Sequence, residues 1–144
     1  MLDLTYTRYS RKVEPVINLY ISERRAGDVT ILDLKGRLRV GGNAVALHRS
    51  IRSLILEKKL LILLDLAGVD FIDSCGLGEL VASQVSVEKK EGQLKLVGLN
   101  DTLRELFRVT RLSTVFDIFQ TEAEAIQGFA DDISKTAKPH SVFA

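Results

Sequence analysis

Three reactive side-chain types stand in consecutive positions near the middle of the chain. Asp73, Ser74 and Cys75 supply a carboxylate, a hydroxyl and a thiol, and glycines follow at positions 76 and 78. A nucleophilic serine needs a histidine base, and the nucleophile elbow of hydrolases would place glycine where this chain has Ile72. A nucleophilic role for Ser74 therefore has little support, and we do not expect an enzyme.

Other residues that could do chemistry are few. His48 falls on the predicted outer face of a helix and His140 in the C-terminal tail, so we expect both at the surface. One cysteine and two distant histidines give no metal-ligand spacing, and no nucleotide-binding glycine loop is present, so we expect no metal and no cofactor. The single cysteine excludes an internal disulfide and favours a reducing, cytoplasmic location.

Charge is distributed unevenly along the chain. The net charge is +1, but residues 1–60 contain 12 Lys+Arg against 6 Asp+Glu, and residues 61–144 contain 8 against 13. A polarised surface of this kind favours protein partners, whereas a nucleic-acid module would be basic overall with interleaved aromatic residues. The aliphatic run at 60–64 is too short to span a membrane and the N-terminus lacks a signal-peptide pattern, so we expect neither insertion nor export.

The hydrophobic pattern predicts alternating strands and helices. Predicted strands cover 18–24, 29–35, 60–66, 93–97 and 115–118, and amphipathic helices carry Leu47 to Ile55, Leu77 to Val85, Leu103 to Phe107 and Ile126 to Phe129. Strands separated by helical crossovers run parallel with right-handed connections. The expected fold class is α/β, with a single mixed, mostly parallel β-sheet of about five strands packed with about four α-helices.

Domain and element boundaries follow from turn and capping residues. We predict an N-terminal extension over 1–16, one domain over 17–132 and a flexible C-terminal tail over 133–144. Gly68 to Asp70 is interpreted as a loop and Gly92 as a helix C-cap. Asn100 is predicted to cap one helix, and Thr121 with Glu124 to form the capping box of another.

Two predicted loops, 36–42 and 69–78, follow neighbouring parallel strands, where α/β proteins form their binding sites. Ser74 would lie at the N-terminus of a helix, where a phosphate is electrostatically tolerated. Gly76 and Gly78 would leave the serine approachable. The alternative is that Asp73 or Ser74 merely caps the helix.

The segment Asp73-Ser74-Cys75-Gly76-Leu77-Gly78 resembles the Asp-Ser-Ser/Thr-Gly-Leu-Gly signature of STAS domains, the anti-sigma-factor antagonist family, and the likeness runs from about Val29 to Phe129. The resemblance implies a non-enzymatic protein whose Ser74 is phosphorylated by a serine kinase that is also an anti-sigma factor. Unmodified, the domain would bind that kinase and release a sigma factor. Phosphorylated, it would let go until a serine phosphatase resets it.

The resemblance also implies a partner-binding surface, formed by residues 73–78 and the loop that contains Arg37 and Arg39. Family members commonly read Gly-x-Leu-Asp there, whereas this chain reads Gly36-Arg37-Leu38-Arg39. Arg39 could pair with Asp73 or with a phosphate on Ser74, or both arginines could be solvated cations. Cys75 replaces Ser or Thr, either as a small packing group or as a redox-sensitive thiol.

Two other STAS-like functions stay open at this stage. One is a scaffold subunit of a stress-signalling assembly, which would self-associate, with residues 1–16 as a candidate contact. The other is the cytosolic accessory subunit of a lipid-transport ATPase.

Overall fold

The computed structural model describes the backbone of residues 19–143 and the side chains of residues 19–41 and 43–134. The predicted extension over 1–16 lies outside the described residues. Within this part of the chain, five strands form one sheet in the order β1-β2-β3-β4-β5, packed with four α-helices. The elements are β1 Leu19–Ala26, β2 Val29–Leu38, α1 Gly42–Leu56, β3 Leu61–Ile72, α2 Ser74–Lys89, β4 Gln93–Val97, α3 Asp101–Val109, β5 Ile118–Phe119 and α4 Glu122–Phe143. The predicted fold class is confirmed.

The strand order places three helices on one face of the sheet. β1 pairs antiparallel with β2, and each later strand pairs parallel with the strand before it. Each helical connection is right-handed and adds the next parallel strand on the same side of the previous one. For this reason α1, α2 and α3 lie on a common face of the sheet. The last helix, α4, packs on the opposite face, so the sheet is covered on both sides.

Two hydrophobic clusters correspond to these two faces. The larger one joins the sheet to α1, α2 and α3, and its helical members include Leu47, Ile51, Leu54, Leu80, Val87, Leu103 and Phe107. The smaller one joins Ile31, Leu63 and Val97 of the sheet to Ala125 and Phe129 of α4. The continuous apolar run of β3 follows from this arrangement, because successive side chains point to opposite faces and both are buried.

β3 is longer than we predicted and leads directly into α2. The segment from Gly68 to Asp70 was interpreted as a loop, but Gly68 and Val69 pair with β2, the second of two register shifts passes over Asp70, and the last pair is Leu38 with Ile72. A Cβ on Gly68 would lie 2.9 Å from the carbonyl oxygen of Leu34, so this glycine permits close strand approach rather than a turn. Sequence could not reveal this, since a bulge depends on the partner strand.

The end of α2 is a second correction. The left-handed residue is Glu91, with φ 63°, and not Gly92. The N–H of Gly92 donates to the carbonyl of Val87 and that of Glu91 to Glu88, which is the Schellman pattern. Gly92 is needed for another reason, because a Cβ there would lie 2.5 Å from the carbonyl oxygen of Leu60.

The C-terminal third also differs in its bounds. β5 starts at Ile118, because residues 112–114 form a 3₁₀ turn and the side chain of Phe116 enters the core instead of extending a strand. The backbone of α4 is helical to Phe143, and the flexible tail over 133–144 stays a prediction. The N-cap of α3 by Asn100 and the capping box of Thr121 and Glu124 are confirmed.

Candidate functional site: the strand β3 to helix α2 junction

Asp73 is the single residue between β3 and α2, and it is the N-cap of the helix. Its Oδ1 accepts a hydrogen bond from the backbone N–H of Gly76 at 2.8 Å, and its own carbonyl accepts from Leu77 at 2.9 Å. Of the two capping alternatives open from sequence, Asp73 performs the role and Ser74 does not. The serine is therefore held by the strand–helix junction without being used to close it.

The same carboxylate joins the two predicted loops. The Oδ2 of Asp73 accepts from the backbone N–H of Val40 at 3.0 Å, and the backbone N–H of Asp73 donates to the carbonyl of Leu38 at 3.1 Å. Hydrogen bonds from Gly76 and Val40 lower the pKa of Asp73 against the cost of burial, with a further contribution from the charge of Arg39. The two segments therefore lie side by side, as expected, and the ionised carboxylate of Asp73 links them by hydrogen bonds.

Ser74 occupies the first position of α2 and is exposed. Among the described residues, none forms a hydrogen bond with its hydroxyl. Its neighbour Cys75 is also exposed and carries a free thiol. The junction therefore presents a hydroxyl and a thiol on the first turn of a helix.

The two glycines after Ser74 have different roles. Gly76 is buried, and a Cβ there would overlap the carbonyl oxygen of Leu38 and approach Cγ2 of Ile72 to 3.0 Å. It lets α2 lie against the end of β2 and does not itself form part of the surface. Gly78 is exposed, and a methyl group added there would meet nothing within 4 Å, as expected for an open approach to Ser74. Leu77 packs half-buried against the core.

Arg37 is in the last part of strand β2, not in the predicted loop over 36–42, whereas Arg39 follows the strand, and the two arginines lie in different surroundings. Arg39 is close enough to Asp73 for its charge to lower the pKa of that carboxyl. Arg37 is half-exposed, with its guanidinium 6.0 Å from the ring centre of Phe71 and 4.0 Å from Asp70. The pairing of Arg39 with Asp73 or with a phosphate on Ser74 stays a prediction.

Sequence reasoning missed three residues of this region. Val40 and Phe71 are exposed by 65% and 45%, and they flank the junction with apolar surface. Asn43 is buried and its side-chain amide donates to the carbonyl of Arg37 at 2.8 Å, which fixes the loop after β2. Phe71 fell in the predicted loop over 69–78 and Asn43 lay just before the predicted helix, so local sequence carried no signal for either role.

The remaining reactive groups do not enlarge this site. His48 is on the outer face of α1, as expected, where its Nδ1 lies 3.0 Å from the Glu79 carboxylate of α2. Within the described residues, no group of three or more His, Cys, Asp or Glu side chains is arranged to hold a metal ion. None of the described helices has the length and apolar content needed to cross a bilayer.

Comparison with known proteins assigns the family. The family model for the STAS domain matches residues 20–125, which covers most of the chain and every element from β1 to the start of α4. The chain belongs to the STAS domain family. The predicted resemblance is confirmed over residues 20–125, a range that contains residues 73–78.

Individual relatives carry a consistent description. This STAS domain is 35% identical over 69 residues to the anti-sigma-B factor antagonist of Listeria monocytogenes, an alignment covering 48% of this chain and 60% of that protein. A crystal structure of a candidate anti-sigma factor antagonist from Thermotoga maritima superposes with a TM-score of 0.68 at 26% identity, over 76% of this chain and 94% of the other. The Bacillus cell fate determinant SpoIIAA in its phosphorylated form shares the fold, with a TM-score of 0.60 at 21% identity, over 75% and 97%.

Proposed function

We propose that this STAS domain is a non-enzymatic anti-sigma-factor antagonist, controlled by phosphorylation of Ser74. The observation that carries the proposal is an exposed hydroxyl on the first turn of α2, free of any capping role because Asp73 performs it. A Listeria relative is named for antagonism of an anti-sigma factor, and a structural neighbour from Bacillus is described in a phosphorylated form. The partner would be an anti-sigma factor that is also a serine kinase, with a serine phosphatase to reverse it.

The surroundings of Ser74 give phosphorylation a physical consequence. A phosphate adds about −1.5 to −2 charges. It would stand next to the ionised Asp73 carboxylate and compete with it for the helix N-terminus and for Arg39. In an unmodified protein the same surface has exposed apolar groups, Val40 and Phe71, beside a cation, so one modification changes it from mixed to strongly anionic.

The partner surface would consist of Arg37, Arg39, Asp73, Ser74, Cys75, Leu77 and Gly78, with Val40 and Phe71 added from the structure. Gly76 supports this surface from below. The exposed Cys75 thiol fits a reducing compartment, and we place the protein in the cytoplasm.

Purified partner kinase from the source cell provides the test. Wild type should bind it and gain one phosphoryl group on Ser74 by mass spectrometry, Ser74→Ala should bind without modification, and Ser74→Asp should bind at least tenfold more weakly. Ser53→Asp, on an exposed site of α1, is the matched control and should bind like wild type. Equal affinity of wild type and Ser74→Asp, with no phosphoryl group on Ser74, would refute the proposal.

The two other STAS-like roles make different predictions in the same experiment. A lipid-transport accessory subunit would copurify with an ATPase and be indifferent to Ser74→Asp. A scaffold subunit would self-associate, and its solution mass would fall when residues 1–16 are removed. A monomeric protein that binds the kinase supports the antagonist role over both.

A further inference from the structure

A groove of about 340 Å³ separates α1 from α2 on the outer side of the domain. Its apolar lining comes from α1, namely Ile51, Ile55 and Leu56, and its polar lining consists of His48, Arg52, Ser83, Ser86, Lys89 and Lys90. The hydrogen bond between His48 and Glu79 joins the two helices at the end nearer Ser74. A second depression of about 410 Å³ shares Ile55, Leu56 and Lys90 and continues past the helix ends to Lys58 and Leu60.

The charge in this groove has one sign. Arg52 lies on the α1 wall and Lys89 and Lys90 lie on the α2 wall, and among the described residues none of the three has an ion-pair partner. In this part of the chain no acidic residue lines either depression. Lysines at a helix C-terminus also suit the helix dipole, but Arg52 is in the interior of α1 and gains nothing from it.

The apolar lining is exposed beyond what the fold requires. Leu56 lines both depressions and is 76% exposed. In addition, the hydroxyl of Ser83 is buried at the groove and has no hydrogen-bond partner within the described part of the chain. An entering side chain with a carboxylate or amide would satisfy that hydroxyl, and apolar side chains would cover Leu56.

We propose that the α1/α2 groove binds an acidic amphipathic helix of a partner protein. Residues 48–56 of α1 extend over about 12 Å, which is two turns of a bound helix. Arg52 belongs to the α1 wall and Lys89 and Lys90 belong to the α2 wall, which matches carboxylates along both sides of a bound helix. Leu56 lines both depressions and is 76% exposed, so a helix that extends over both would bury more of it than a small ligand in one of them.

This surface acts independently of the Ser74 junction. Nine positions of α2 separate Ser74 from Ser83, the nearest α2 residue that lines the groove, which is about 13 Å along the helix axis, and Lys89 lies about 22 Å away. A Debye length of about 8 Å at physiological salt screens a phosphate on Ser74 from the groove. One domain can therefore hold two protein partners, only one of which responds to phosphorylation.

Fluorescence anisotropy with designed peptides tests the proposal on the full chain. The probe is a labelled helical peptide with leucines at i, i+3, i+4 and i+7 and glutamates on both flanks, and its matched control has lysines in place of glutamates. The acidic peptide should bind wild type at least tenfold more tightly than the basic one, with affinity falling as salt rises. Amide NMR shifts should map to α1 and α2 around Arg52, Leu56 and Lys89.

Variants separate the groove from general electrostatics. Arg52→Glu and Leu56→Ser should each weaken the acidic peptide about tenfold, while Arg52→Lys and Ser74→Asp should leave its affinity unchanged. Lys35→Glu, an exposed cation on β2, is the control and should also have no effect. Thermal unfolding of each variant checks that the fold is retained.

Four results would overturn the proposal. The first two are equal binding of the acidic and basic peptides, and unchanged binding of the acidic peptide to a folded Arg52→Glu variant. The third is that decanoate, used as a small anionic ligand, shifts the amide signals of the groove when the acidic peptide does not, and the fourth is a concentration-dependent dimer that covers the groove.

Discussion

The carboxylate of Asp73 accepts the backbone N–H of Val40 at 3.0 Å, and so fastens the loop after β2 to the start of α2. The same side chain caps α2 through Gly76. One acidic residue therefore sets the position of both segments around Ser74. The stability of this junction, and with it the presentation of the serine, depends on Asp73 being ionised.

Replacing Asp73 tests how much its hydrogen bonds contribute to the stability of the domain. Asp73→Ala should lower the free energy of unfolding at neutral pH by about 1–2 kcal/mol, because the N-cap and the cross-loop bond are both lost. Since the folded pKa lies below the ordinary value of 3.8, this stabilisation is present above that pH and is lost as pH falls through the folded pKa. Urea unfolding from pH 7 to pH 3 measures both effects. Asp70→Ala, at an exposed carboxylate, should change little, and a loss as large as that of Asp73→Ala would contradict the assignment.

Arg39 should influence Asp73 through space. Arg39→Gln removes a positive charge that favours the ionised carboxylate, so the pKa of Asp73 should rise toward its ordinary value while remaining below it. Carboxyl carbon NMR titration of both proteins measures the shift. An unchanged titration would contradict an influence of Arg39 on the Asp73 carboxylate.

The two signature glycines should respond differently to alanine. Gly76→Ala forces a methyl group against the backbone of Leu38 and should destabilise the domain by about 1–3 kcal/mol. Gly78→Ala meets open space within α2 and should be neutral or stabilising by up to about 1 kcal/mol. Chemical denaturation of the two variants measures their free energies of unfolding. Equal values would show that the backbone around Gly76 can accommodate a methyl group.

The end of α2 offers a second matched pair. Glu91 has a left-handed backbone conformation, which glycine adopts without steric strain. Glu91→Gly should therefore stabilise the protein by about 1 kcal/mol. Gly92→Ala places a methyl group 2.5 Å from the Leu60 carbonyl and should be destabilising. Melting temperatures of the two variants should move in opposite directions, and a shared direction would be inconsistent with this cap.

Lys95 of β4 carries a buried positive charge on the α4 side of the sheet. Its side chain is 3% exposed, and its Nζ lies 2.7 Å from Asp117 and 2.6 Å from Asp132. Burial lowers the pKa of Lys95, but hydrogen bonds to both carboxylates outweigh burial and raise it overall, so the lysine stays charged.

Lys95→Met should therefore leave the free energy of unfolding within about 1 kcal/mol of wild type, because the partner carboxylates remain hydrated and methionine packs against Phe119 and Phe129. Lys95→Ala leaves a cavity and should cost about 2 kcal/mol or more. Equal losses in the two variants, measured in urea, would show that the ion pairs rather than the packing stabilise this site.

Sequence alone determined the element order, the fold class and the likeness to STAS domains, because apolar periodicity and capping residues act over a few neighbouring positions. Asn100 and Thr121 are examples, since their side chains bond to backbone groups within the next turn. The signature at 73–78 was recognisable for the same reason. Its residues are contiguous, and an acidic or hydroxyl residue before a helix has a local meaning.

Tertiary structure alone decided which residues of the site do what. That Asp73 also bonds to Val40, that Gly76 faces inward and that Gly68 remains in a strand all depend on β2 lying alongside β3. The groove between α1 and α2 was equally hidden, because Arg52 and Lys89 are distant in sequence and meet only when right-handed crossovers place both helices on one face. Hydrogen bonds and steric contacts between distant segments have no local pattern, so only the folded chain specifies them.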